Sequence, residues 1–417
     1  MSNFSRVAQV AQHLAPVSKN LPATRVGVKS DEDVVIVSAL RTPITRARRG
    51  AFKDTPPEDL LAEVLKATLA RTAIDPAMVD DVCVGTVLTP MGGATSARMA
   101  CLYAGLPERS STYTVNRQCS SGLQAVAAIA QAIQAGQIDV GIGAGMESMT
   151  KYYAQASFAP SEKLMEHEAA ADCILPMGIT SENVAEEFGI TRDQQDQLAA
   201  LSHARAAQAQ KEGLFDSEIV PVTTQVLDKD GNAHTITVSK DEGVRVGTTP
   251  QSLAKLKAAF RENGTTHAGN ASQVSDGAAA VLLMKRKTAQ RLGLPVLAKL
   301  VSSAVAGVPP RVMGIGPAFA IPKACELAGI NVQDVDIFEL NEAFASQATY
   351  CIQKLGLDIK KVNPKGGAIA LGHPLGCTGS RQIATLLPEL KRQNKKIGAV
   401  TMCIGTGMGM CTIIERE

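Results

Sequence analysis

The sequence predicts an α/β protein made of two copies of one strand-and-helix unit with a long insertion between them. Three observations carry this expectation. From Asp33 onward short apolar runs alternate with helical patterns, the same order of elements returns in the second half, and the stretch from about 150 to 269 breaks the rhythm. At 417 residues the chain is too long for one small core, so division into domains is expected.

The elements follow in order. The run VVIVSAL (34–40) reads as a buried strand, and Thr55-Pro-Pro-Glu58 as a capping box ahead of a helix whose stripe is Leu60, Leu61, Val64, Leu65 and Leu69. VDDVCVG (79–85) is a second strand and TYTV (112–115) a third. A helix then carries Leu123, Val126, Ile129, Ala130 and Ile133 on one face and ends near Gly136. In the second half GINVQDVDIFELN (329–341) repeats the plan of AIDPAMVDDVCVG (73–85): a helix end, an acidic turn, a buried strand. TVN (114–116) leads through a turn and a helix to VGIGAGMES, and KVN (361–363) leads through a glycine-rich loop and a helix to AVTMCIGTGMG. Duplication would set equivalent loops of both halves side by side, giving a shared site. In the insertion, Thr191-Arg-Asp-Gln194 is a second capping box, opening a helix to Gly213, and the sheet rhythm is expected to vanish. Such an excursion is expected to cover or grip a ligand.

Bulk properties exclude several classes. A net charge of +2 gives no field to attract nucleic acid, and no run of eighteen apolar residues suggests a membrane span. Nine cysteines without a C-x-x-C pair, and no histidines spaced i, i+4, argue against a zinc or disulfide framework and for a reducing setting. The first thirty residues are basic, with no acid before Asp31 and with Pro16 and Pro22 preventing a long helix. Within them RVAQVAQHL (6–14) places Val7, Val10, Ala11 and Leu14 on one face. It is similar to a type 2 peroxisomal targeting signal, so a peroxisomal import receptor is the expected partner of 6–14. A mitochondrial transit peptide is the alternative.

Four loops hold residues suited to chemistry. Cys119 falls on a strand-to-helix turn, where unpaired N–H groups and the helix dipole are expected to lower its pKa. His373 is ringed by glycines in GGAIALGHPLGCTGS. The histidines of the polar insertion, His167, His203, His234 and His267, are expected to be exposed. Cys403 ends a β run before a glycine hairpin, which rules out a dinucleotide fingerprint because strand, not helix, follows it. Asn341 and Glu342 follow a buried strand, at the edge where α/β sheets bind ligands. Two thiols, an imidazole and a carboxamide suit acyl-thioester chemistry: one thiolate holds an acyl group, the imidazole takes its proton, and the second thiol serves carbon.

At these residues the chain resembles the thiolases, acetyl-CoA C-acyltransferases, over roughly 33–417. NRQCSSG, NEAFA, GGAIALGHPLG and CIGTGMG stand in the family's order, and TTPQSLAKLKAAF and AGNASQVSDGA are similar to its CoA-binding segment. The resemblance implies a five-layered αβαβα thiolase fold, a homodimer, CoA as co-substrate, and neither a tightly bound cofactor nor a metal. It implies catalytic roles for Cys119, His373, Cys403, Asn341 and Gly405. CoA and acyl contacts would fall on Arg245, Ser252, Ala268, Ser272, Met177 and Phe344. RVGTT (245–249) departs from relatives with proline after the arginine. The expected division is a leader (1–32), an N-terminal half (33–149 with 270–291), a CoA-binding loop domain (150–269) and a C-terminal half (292–417). The implied activity is thiolytic cleavage of 3-oxoacyl-CoA in fatty acid β-oxidation. A biosynthetic acetoacetyl-CoA thiolase, a decarboxylating ketosynthase and a silent lipid-binding member of the fold are the rivals.

Overall fold

Two aspartates show how the duplication is built. The Asp80 carboxylate accepts from the N–H groups of Asp139 and Val140 at 2.9 and 3.1 Å, and Asp336 accepts from Lys396 and Ile397 at 3.0 Å each. Each therefore ties the turn before one strand to the start of its parallel neighbour. These contacts come from a computed structural model describing residues 25–155 and 159–417. The nonapeptide 6–14 lies outside the described residues.

In the first half β1 (Val34–Arg41), β2 (Thr45–Arg46), β3 (Asp81–Gly85), β4 (Ser111–Val115) and β5 (Val140–Ser148) precede the insertion, which holds β6 (Val222–Leu227) and β7 (Ala233–Val238). β8 (Ser275–Lys285) returns to the sheet, followed by β9 (Ala298–Gly307), β10 (Ile337–Leu340), β11 (Ile397–Ile404) and β12 (Met408–Arg416). The order β4-β3-β5-β8-β1 has two parallel and two antiparallel pairings. The second half repeats it: Val362 bridges Phe338 in parallel, then β10-β11-β12-β9. The halves join where Val35 and Ile36 pair with Lys299 and Ala298.

Helices Pro57–Thr72 and Ala94–Tyr103 cover one outer face, and Gly316–Ala328 and Ala345–Leu355 the other. Between the sheets run helices Ser121–Gln134 and Thr378–Arg392, whose Leu123, Val126, Ile129, Ile383, Leu386 and Leu390 share one core with strands of both halves. The result is helix, sheet, helix, sheet, helix. Glycines let the central helices settle on the sheet: a Cβ at Gly143 would lie 2.4 Å from Val126 Cα, and one at Gly145 2.1 Å from the Gly376 carbonyl.

Three expectations are corrected. The Thr55 capping box does not form, because helix formation starts after Pro56, which places Glu58 one position too early for the reciprocal bond; Thr55 Oγ1 instead meets Thr224 Oγ1 at 2.7 Å. The Thr191–Gln194 box does form. Sheet rhythm does not vanish in the insertion, since β6 and β7 pair in register over six residues. Their threonine-rich strands bury only Val222 and Val238, so the apolar signal is faint.

The third concerns histidines. His167 and His234 are exposed, but His203 and His267 are buried. Arg245 N–H donates to His203 Nδ1 at 3.2 Å. His267 Nδ1 accepts from Gly269 N–H, and Nε2 faces Asp196 Oδ1 at 2.8 Å. Both rings anchor loops, and burial pushes both pKa values down, His203 to about 4. A histidine kept neutral in the fold stabilises it above the unfolded pKa of about 6.5, and that stability is lost as pH falls toward the folded value. Glu147 and Glu339, both raised to about 7 by burial, oppose this trend, so a difference isolates it. Relative to His203→Asn, whose oxygen still accepts from Arg245, wild type should lose denaturant midpoint progressively from pH 6.5 down to about 4. A pH-independent difference would contradict it.

Candidate active site

Cys119 sits on a sharp turn. Gln118 adopts φ 49°, the left-handed region, held by Asn116 Oδ1 accepting from its N–H at 2.9 Å while Ser121 Oγ accepts from Arg117 N–H at 2.9 Å. The sulfur meets its own N–H and that of Gly405, from the far half of the chain. Burial nevertheless wins, and the thiol is pushed up to about 11 with Glu147's charge adding to the rise. The expected lowered pKa is thus corrected: amide donors are present, but the loss of water around the sulfur outweighs them. At rest the nucleophile is a thiol that needs a base.

That base is defined by its surroundings. His373 N–H is fixed on the Gln273 carbonyl at 3.0 Å. Thr378 Oγ1 donates to the Pro374 carbonyl at 3.1 Å, so His373 Nδ1, 2.6 Å from the same oxygen, carries the hydrogen and donates to it. Nε2 is then the acceptor, met by Asn341 Nδ2 at 3.4 Å. Burial, aided by the charge of Arg381, lowers the ring's pKa to about 3, so it is neutral. Gln273 and Thr378 were not singled out from sequence, although Thr378 lies in the same glycine loop.

Asn341 stands just past β10, its N–H donating to the Thr401 carbonyl at 2.9 Å. It is buried, and its Oδ1 has no hydrogen-bond partner among the described residues. An acceptor left open in the interior is a place for a ligand group or water. Its neighbour Glu342 is structural, accepting from Ser202 Oγ at 2.7 Å and Asn363 Nδ2 at 2.8 Å.

Cys403, near the end of β11, is buried among Met313, Ala343 and Phe344, with Met177 and Ala271 against them. Its pKa is driven well up by burial and then by the charges of Cys119 and Cys351. The loop beyond it, with Thr406 and Gly407 both at positive φ, turns back into β12 and presents the Gly405 N–H. The His373 loop reaches the same place, for a Cβ on Gly122 would lie 2.6 Å from the Gly376 carbonyl.

The remaining candidates divide. Met177 and Phe344 line the Cys403 cluster, and Ser272 N–H donates to the Ala343 carbonyl at 3.0 Å. Ser252 and Ala268 are exposed on the insertion; Gly269 packs closely on Leu253 and Leu256, which sets Ala268 beside the Pro250–Leu253 turn. Arg245 is exposed, and its guanidinium makes no side-chain hydrogen bond or ion pair among the described residues. Among those residues no group of three or more His, Cys, Asp or Glu is arranged to hold a metal, and no helix is long and apolar enough to cross a membrane.

The N-terminal domain of thiolase matches residues 34–287 and the C-terminal domain residues 294–416. The chain belongs to the thiolase family. It is 59% identical over 387 residues to the mouse protein called 3-ketoacyl-CoA thiolase B, peroxisomal, covering 93% of this chain and 91% of that one. Among solved structures it is similar to the dimeric peroxisomal thiolase of Saccharomyces cerevisiae, with 50% identity and TM-score 0.88 over 94% of this chain and 99% of that chain. A second structure of the yeast 3-ketoacyl-CoA thiolase, at 45% identity and TM-score 0.78 over 94% and 100%, is described as five-layered and built from two core domains of identical topology. The thiolase layering is the one seen here.

Proposed function

We propose that this chain is a peroxisomal 3-ketoacyl-CoA thiolase, cleaving 3-oxoacyl-CoA with CoA to acetyl-CoA and an acyl-CoA two carbons shorter in fatty acid β-oxidation. The observation that carries the reading is the Cys119 sulfur lying against the Gly405 N–H of the other half, while a neutral His373 keeps Nε2 as an acceptor.

Cys119 Sγ attacks the 3-keto carbon as its proton passes to His373 Nε2. The C2–C3 bond then breaks, leaving the acyl group on sulfur and the bonding pair as the enolate of acetyl-CoA. His373 and a water on Asn341 donate to the enolate oxygen, and the Cys403 thiol delivers its proton to carbon. Acetyl-CoA leaves. The Cys403 thiolate takes the thiol proton of incoming CoA, whose sulfur attacks the acyl-enzyme. The N–H groups of Cys119 and Gly405 receive the oxyanion, and departing Cys119 recovers its proton from His373. This is a ping-pong cycle that restores every group.

Met177 and Phe344 fit the acyl and pantetheine tunnel, and Arg245, Ser252, Ala268 and Ser272 a CoA path across the loop domain 150–269. Arg245 supplies the unpaired cation that a phosphate needs. A homodimer fits the open edge of β4, where Tyr113 is exposed beside exposed Met91, Met99 and Tyr103. Import would rest on a receptor reading 6–14.

Losing one oxyanion donor costs about 3 kcal/mol in barrier. Asn341→Ala is therefore expected to lower kcat on the order of a hundredfold with little change in KM, read by steady-state kinetics; an unchanged kcat would remove Asn341 from the mechanism. The function itself is tested with 3-oxoacyl-CoA substrates of graded length plus CoA, products identified by mass. Acetyl-CoA with the shortened acyl-CoA is expected. Activity on acetoacetyl-CoA alone would favour the biosynthetic alternative, and neither product at any length would reject both.

A further inference from the structure

The duplication relates one contact of the active site to another that the mechanism leaves unused. Asp81 pairs with Gly141 in the first half and Ile337 with Gly398 in the second, so Glu147 corresponds to Ile404 and Ser148 to Gly405. The central helices begin at Ser121 and Thr378, so Cys119 corresponds to Gly376. Where the tip of β11 offers the Gly405 N–H to Cys119, the tip of β5 offers the Glu147 carboxylate to the Gly376 N–H at 2.9 Å. We propose that Glu147 is a positioning residue for the reaction, fixing the His373 loop of the second half against the Cys119 turn of the first. The proposal rests on the thiolase reading above.

Glu147 is fully buried. Besides Gly376 it accepts from Val87 N–H at 2.9 Å, Leu88 N–H at 3.1 Å and Thr86 Oγ1 at 3.3 Å, and it forms no ion pair among the described residues. A carboxylate without a cation is a costly filler for an interior that glutamine or an apolar side chain would fill more cheaply. What it gains is four donors converging from two segments, the loop after β3 and the His373 loop. The other end of that loop is held in the same manner by the second half's Glu342, which accepts from Ile369 N–H at 3.3 Å and from Ser202 Oγ, itself the acceptor of Gly367 N–H at 3.0 Å. His373 is thus suspended between two buried carboxylates, one from each half.

Groups that feel Glu147's charge supply a readout. It raises the thiols of Cys119 and of Cys377, which begins the helix after His373; Arg41, Arg381 and Asp241 act on Cys377 from beyond. On β8, Asp276 is turned to Ser148 and Thr150. Removing the charge should therefore ease ionisation of Cys119.

The test compares full-length wild type, Glu147→Gln and Glu147→Asp in kcat, KM for CoA, and the pH midpoint of Cys119 alkylation by iodoacetamide, with the site read by peptide mass. Glu147→Gln is expected to lower kcat about ten- to a hundredfold, leave KM within about twofold, and move the alkylation midpoint to lower pH. Glu147→Asp keeps the charge on a shorter arm, so kcat falls while the midpoint stays. Wild-type kcat in Glu147→Gln, or a lowered kcat with an unmoved midpoint, would overturn the proposal. Should Glu147→Gln not fold, wild-type kcat in Glu147→Asp would do the same. If wild type itself turns over no 3-oxoacyl-CoA, the functional reading fails, whereas the alkylation arm still reports on Glu147.

Discussion

Cys119→Ser is expected to leave on the order of one part in 10,000 of the wild-type kcat or less, with thermal stability unchanged. The substitution is nearly isosteric on a turn whose shape is set by Asn116 and Ser121, not by the sulfur. Chemistry is what fails. The base is a histidine held near a pKa of about 3, which can take a proton from a thiol in concert with attack but is poorly matched to a hydroxyl. Steady-state assay together with a melting curve checks this. Retention of more than about a tenth of kcat would mean another nucleophile carries the acyl group.

Cys403→Ala should be nearly as damaging, at about a thousandfold, because proton transfer at carbon loses both its donor and its acceptor. The two variants fail differently. With Cys119, Gly405 and His373 in place, Cys403→Ala should still be alkylated at Cys119, while exchange of the acetyl-CoA methyl protons with solvent deuterium collapses. If exchange survives, the carbon acid lies elsewhere, His373 being the next candidate.

Much of this is legible in the sequence itself. The paired acidic turns at Asp80 and Asp336 announced the duplication because each half must solve the same local problem, closing a strand onto its parallel neighbour. Cys119 and Cys403 were legible because a turn beside a strand end is written in neighbouring residues. The protonation state of Cys119 was not, since burial is imposed by the far half, and local amides alone suggested the opposite direction. His203 and His267 were misjudged for a related reason. The helix of His203 buries a polar face, Gln195, Asp196 and Ser202, on which His267 packs from a loop through Asp196, and hydrophobic periodicity has no mark for a polar interior. Glu147 was hidden inside an apolar strand, VGIGAGMES, where one acid reads as the strand's exposed end. The Thr55 box failed because two successive prolines move the helix start by a residue.

The central claim is that one sulfur on the turn of the first half takes the acyl group with the amide of the second half ready beside it. Intact-mass analysis after brief mixing with 3-oxoacyl-CoA, with no added CoA, reads this directly. The prediction is a single acyl addition, mapped to the peptide holding Cys119 and absent from Cys119→Ser. An addition on any other residue, or none while acetyl-CoA is released, would contradict it.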